Sequence, residues 1–97
     1  MARIHEIKCL PEYFVPVTDG VKKFEFRKND RDYKAGDFLA MNEYDGERYT
    51  GRSMLMKIGY ILDPNEVAEC VPGYVVLSVE PVAVLPEGRG GPDAYVL

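Results

Sequence analysis

Gly20-Val21-Lys22-Lys23-Phe24-Glu25-Phe26-Arg27 alternates apolar and charged side chains from Lys23 onward, and this strict period of two reads as a β-strand. Phe24 and Phe26 share one face, while Lys23, Glu25 and Arg27 share the other. Thr18-Asp19-Gly20 just before it is a turn signal, with Gly20 permitting the backbone reversal. Lys22 stands at the mouth of the strand, and Glu25 and Arg27 are close enough on one face to orient each other. If that face is solvated, its ion pairs contribute little. If it borders a cleft, it offers donors and an acceptor of fixed geometry to a nucleobase edge, a phosphate or a small carboxylate. The pattern alone leaves both readings open.

Working outward, Arg3–Leu10 alternates well enough to be a strand, and Pro11-Glu12-Tyr13-Phe14 starts a short helix with Pro in its first turn. Pro16 predicts that this helix stops early or ends in a distorted turn. Lys28–Gly36 is a polar loop, followed by a strand over Asp37–Tyr44 and an Asp45-Gly46 hairpin turn. The return begins at Glu47–Gly51 and continues as a long strand over Ser53–Leu62, bulged at Gly59. Asp63-Pro64 opens a helical turn that Pro72-Gly73 breaks, and Tyr74–Glu80 is a β-branched central strand. The expected fold is mainly β (α+β): a small barrel of about five to six strands with one or two short helices. It occupies residues 1–85, and the Gly-rich composition from Pro86 marks 86–97 as a flexible tail.

Bulk properties fit one small soluble domain, since 97 residues with 46% hydrophobic and 29% charged side chains supply a single core. No apolar run nears the roughly 20 residues of a membrane span, and the start shows no secretory pattern, so a cytoplasmic protein without membrane contact is expected. Cys9 and Cys70 lie outside any CxxC or CxxH spacing and read as two buried free thiols. With one histidine, the sequence shows no ligand cluster, so neither a metal nor a cofactor is expected. The net charge of −4 argues against grip on a long phosphate backbone. Residues 20–34 nevertheless carry six basic side chains against three acidic ones, a local +3 on a remainder of −7.

The spacing Gly20-x-Lys22-x-x-Glu25-x-Arg27 has the form GxKxxExR, which arises by chance in on the order of one in a thousand chains of this length. On this motif the sequence resembles the ASCH superfamily, a branch of the PUA-like barrels. It resembles more closely the small bacterial and phage-borne proteins of the uncharacterised family DUF3850. The resemblance runs over residues 4–80, through His5-Glu6-Ile7-Lys8, Tyr13-Phe14, Asn29-Asp30-Arg31-Asp32-Tyr33, Gly36-Asp37, Tyr49-Thr50-Gly51-Arg52 and the Gly73–Val79 strand. It implies a PUA-like barrel with a cleft beside the motif, in a superfamily linked to RNA and nucleoside ligands.

The candidate ligand-binding residues are His5, Lys22, Glu25, Arg27, Asn29, Arg31, Tyr33 and Arg52. Arg31 either fixes its loop by pairing with Asp30 or Asp32, or joins Tyr33 as a wall of the cleft. His5 is either a structural residue or a border of the site. One functional expectation is a module that binds RNA or a modified nucleotide or nucleoside, with Tyr13 or Tyr33 stacking on a base. A second is an amidohydrolase acting on a modified nucleoside, because some ASCH proteins deacylate N4-acetylcytidine with a Lys, a Thr and a Glu. Lys22 matches that Lys, but Glu25 stands in the Thr position, so the hydroxyl nucleophile is missing and Lys22 with Glu25 as catalytic pair would have to activate water. Glu66 or Glu69 is the candidate third acid. A third expectation is a phage-type factor that engages a protein partner.

Overall fold

The Asp45 turn anchors the sheet: its carboxylate accepts the backbone N–H groups of Glu47 and Arg48, each at 2.9 Å, and fixes a tight hairpin. In the computed structural model, which describes residues 2–85, that hairpin joins β3 (Phe38–Tyr44) to β4 (Tyr49–Leu62). Before it come β1 (Ile4–Cys9), α1 (Pro11–Thr18) and β2 (Phe24–Lys28); after it come a 3-10 turn at Pro64–Glu66 and β5 (Tyr74–Leu85). The chain is mainly β, as the alternation predicts, and forms a five-stranded mixed half-barrel with one short helix. The tail assigned to 86–97 lies outside the described residues.

The strand order is β1-β3-β4-β5-β2. β1 runs parallel to β3, and the other three pairs are antiparallel. Register shifts at Asn42/Tyr44, Leu55/Met56 and Ile58/Ile61 bend the sheet into its curve. The last of these contains Gly59, where an added Cβ would lie 3.0 Å from Ser78 Oγ. That hydroxyl accepts the freed backbone N–H of Tyr60 at 2.8 Å, which satisfies the bulge locally.

The concave side holds Ile7, Leu39, Met41, Met54, Met56, Ile58, Leu77 and Val79, and α1 closes one end with Phe14 and Val17. Each such side chain contributes about 1.5–3 kcal/mol when fully buried. The helix is short, eight residues that include Pro16, as the proline predicts. Its C-terminal turn compensates: the N–H groups of Val21 and Lys22 both bond to the Pro16 carbonyl, at 2.9 and 3.0 Å. Gly20 adopts φ +75° within this reversal, and the chain delivers Lys22 to the open end of β2.

Among the described residues no ladder joins β1 to β2, the two ends of the sheet. Arginines bridge that seam instead. Arg27 Nη2 donates to the Lys8 carbonyl at 3.0 Å, and Arg31 Nη1 donates to the Glu6 carbonyl. Both carbonyls belong to the edge of β1 that faces away from β3.

Candidate functional site

β2 turns its charged face inward. Glu25 pairs in register with Leu77, and Arg27 with Val75, both core residues, so the two-residue period sends Glu25 and Arg27 to the concave side. Glu25 is 2% exposed, whereas Phe24 and Phe26 on the opposite face are 51% and 45% exposed. Of the two readings left open for that face, solvation does not hold for Glu25, while Lys23 stays exposed. Phe26 offsets some of its exposure by stacking on Tyr74, with ring centroids 5.1 Å apart.

The Glu25 carboxylate is held from both sides. Lys22 Nζ lies 2.6 Å from Oε2, and Arg27 donates to Oε1 through Nε at 3.2 Å and Nη2 at 3.1 Å. Lys22 is also flanked by two rings, with its ammonium 5.2 Å from the Tyr13 centroid and 5.5 Å from that of Phe24. Together with Leu10, Phe26, Lys8 and Cys9 these side chains line a cavity of about 540 Å³ beside the seam. Its base is ionic and its rim aromatic. Cys9 lies against the same cluster; burial foremost, then the Glu25 charge, pushes its thiol pKa up to about 11.

A second cavity of about 570 Å³ adjoins the first and shares Lys8 and Arg27 with it. His5, Arg31, Tyr33, Asn42 and Tyr49 are among its lining residues. Asp37 orients His5, whose Nε2 lies 2.8 Å from Oδ2, and the ring meets Tyr33 edge-on at 4.8 Å. Burial of Asp37 pushes its pKa up, but the bonds from His5 and from the Arg3 and Lys34 backbone N–H groups outweigh that and hold it below the ordinary range. Burial raises the Tyr33 pKa. Arg31 pairs with neither Asp30 nor Asp32; Lys34 takes Asp32 at 3.1 Å, and Arg31 turns to β1.

The structure thus brings Lys22, Glu25 and Arg27 to one cavity, and His5, Arg27, Arg31 and Tyr33 to its neighbour. Asn29 lines neither; its side-chain oxygen accepts the Tyr33 N–H at 3.4 Å and braces the loop. Arg52 also stands apart. It forks onto buried Glu43 with Nε at 2.7 Å and Nη2 at 2.6 Å, while Thr50 donates to the same carboxylate at 2.7 Å. Those bonds, Arg52 foremost, hold the Glu43 carboxyl below its ordinary range against the effect of burial. Glu66 and Glu69 are exposed and line neither cavity. Cys70 is exposed rather than buried, because it follows the 3-10 turn in an exposed loop where its N–H bonds to Asn65 Oδ1.

Sequence reasoning missed Asp37, Glu43 and the cavity-lining roles of Leu10 and Phe24. Leu39–Glu43 is buried throughout, and an acid that ends such a run signals a partner inside the fold. Among the described residues no group of three or more His, Cys, Asp or Glu side chains is placed to hold a metal ion.

Residues 4–79 match a family described as a domain of unknown function, DUF3850. The chain belongs to the DUF3850 family. An uncharacterized 12.9 kDa protein in the GpA 3′ region of Escherichia phage P2 is 39% identical over 77 residues, covering 79% of this chain and 68% of the phage protein. The DUF3850 match contains the lining of both seam cavities, from Ile4 to Tyr49.

Proposed function

We propose that this chain is an ASCH-type binding module that holds a nucleotide or nucleoside, free or as a splayed base of single-stranded RNA, in the cleft over Lys22, Glu25 and Arg27. The observation that carries this reading is the buried Glu25 carboxylate clamped between Lys22 at 2.6 Å and Arg27 at 3.1 Å. Desolvating an ion costs several kcal/mol, and an apolar side chain opposite Leu77 would suit a purely structural strand better. An ionic cluster kept at the base of a cavity is a recognition device. A nucleobase offers in-plane donors and acceptors for Lys22, Glu25 and Arg27, and a face that stacks on Tyr13 or Phe24.

Two further features favour a single base over a duplex. The cleft lies in a seam between two strands, and the net charge of −4 opposes extended backbone contact. Binding is favoured over hydrolysis because both Glu25 oxygens are already engaged by cationic donors.

The test is calorimetric titration with the four ribonucleosides and with short single-stranded RNA at two salt concentrations. Saturable binding that weakens at least about tenfold in Lys22→Ala and in Arg27→Ala supports the reading, with circular dichroism reporting that each variant is folded. Affinity that ignores both substitutions excludes this cleft. Release of a carboxylic acid from an acylated nucleoside, followed by chromatography, would move the reading to a hydrolase.

A further inference from the structure

We infer that the second seam cavity is a phosphate subsite, so that the preferred ligand carries a phosphate next to its base and spans both chambers. This inference rests on the reading of the first cavity as a base site. The two chambers meet at Arg27, whose guanidinium bonds Glu25 on one side and the Lys8 carbonyl on the other. One ligand therefore passes from the aromatic-rimmed chamber to the second across the boundary that Lys8 and Arg27 share.

The two chambers handle charge differently. In the first, Lys22 and Arg27 are neutralised in part by direct contact with Glu25. In the second, Lys8, Lys28 and Arg31 join Arg27 against Glu6 and Asp30, and none of those three cations forms an ion pair with a carboxylate among the described residues. Among the described residues Arg31 donates only to the Glu6 carbonyl, a neutral acceptor, which leaves its charge unpaired by any carboxylate there. The Glu6 carboxylate is turned to Asn42, whose Nδ2 lies 3.4 Å from Oε1. A guanidinium fork with lysines beside it suits the tetrahedral, multiply charged phosphate better than a planar neutral group. The volume of about 570 Å³ lies within the range of small-molecule sites.

The backbone supports the same assignment. Asp32 adopts φ +49°, a left-handed conformation rare outside glycine. Arg3 Nη2 donates to the carbonyls of Arg31 and Asp32, at 3.3 and 2.5 Å. The loop is pinned so that Arg31 faces β1, and its position is set before any ligand arrives.

The experiment compares each ribonucleoside with its 5′- and 3′-monophosphates in wild type, Arg31→Ala and Lys28→Ala, with inorganic phosphate as competitor. In wild type one of the two monophosphates binds at least about tenfold more tightly than its nucleoside, and the ratio shrinks as salt rises. In Arg31→Ala and Lys28→Ala the ratio falls toward one, and Lys28, exposed and without a bonded partner among the described residues, carries the test if Arg31→Ala fails to fold. Equal affinity of nucleoside and both monophosphates in wild type overturns the inference and leaves the base site standing. Inorganic phosphate bound through Arg31 with no nucleoside bound by any chamber keeps the subsite and overturns the base reading. A phosphate gain that survives both substitutions also overturns it.

Discussion

Replacing Glu25 by Gln keeps the side chain's size, removes its charge, and turns an amide NH₂ toward Lys22 or Arg27. The wild-type carboxylate receives three charge-assisted contacts, at 2.6, 3.1 and 3.2 Å, and the amide oxygen can serve only part of them. Removing one member of a buried ion pair costs about 3–5 kcal/mol. Lys22 and Arg27 keep 21% and 28% side-chain exposure, so water recovers part of their solvation and the lower end applies, about 3 kcal/mol. A domain of 97 residues has roughly 5–15 kcal/mol in total, so this loss is a large fraction. It corresponds to a fall in Tm of about 12–24 °C. Urea unfolding followed by far-UV circular dichroism measures it directly, as a lower midpoint at an unchanged slope. A loss under about 1 kcal/mol would place the pair in solvent and refute the inward-facing strand. The triple variant Lys22→Met, Glu25→Leu, Arg27→Leu should be more stable than Glu25→Gln while binding no ligand, which separates recognition from folding.

Asp37 and Glu43 have folded-state carboxyls below their ordinary values of about 3.9 and 4.3, so each adds stability that is complete above about pH 5 and lost as pH falls through the folded pKa. Asp37→Asn and Glu43→Gln should each lower stability at pH 7 and flatten the acid limb of a stability–pH curve; a limb identical to wild type would contradict those partners. Native protein treated with iodoacetamide at pH 8 should gain one label, on exposed Cys70, because Cys9 is buried with a pKa of about 11; mass spectrometry showing Cys9 labelled first would refute its placement. Phe24→Ser should change stability by less than about 1 kcal/mol, since Phe24 is half exposed, yet weaken base binding severalfold; unchanged binding would remove Phe24 from the rim.

Local pattern carried the strands. Period-two alternation and the Asp45-Gly46 turn were enough to find β2, β3 and β4, because a hairpin's register is written in contiguous residues. β5 continues past Glu80 to Leu85, through Pro81 beside a register shift, a continuation that depends on β4 already being in place. The parallel pairing of β1 with β3 joins segments more than thirty residues apart and leaves no local trace. The side of β2 that faces the core was likewise hidden. Hydrophobicity would put Phe24 and Phe26 inside, but register with Leu77 and Val75 puts Glu25 and Arg27 there. Lys22, Glu25 and Arg27 were legible as a cluster through their spacing. Arg52 was legible as a cation but not as the bidentate partner of Glu43, since that bond needs the β3–β4 hairpin to form first. The departure from expectation at β2 is itself informative, because a strand that buries charge and exposes aromatic rings is where a functional or strained site is expected.

The most direct test of the cleft is a ¹⁵N-resolved NMR titration of the full chain with the tightest-binding ribonucleotide. The account predicts saturable amide shifts concentrated at Leu10, Tyr13, Lys22, Glu25 and Arg27, extending to Arg31. Shifts confined to the far face around Tyr60 and Val67, or none at millimolar ligand, would contradict it.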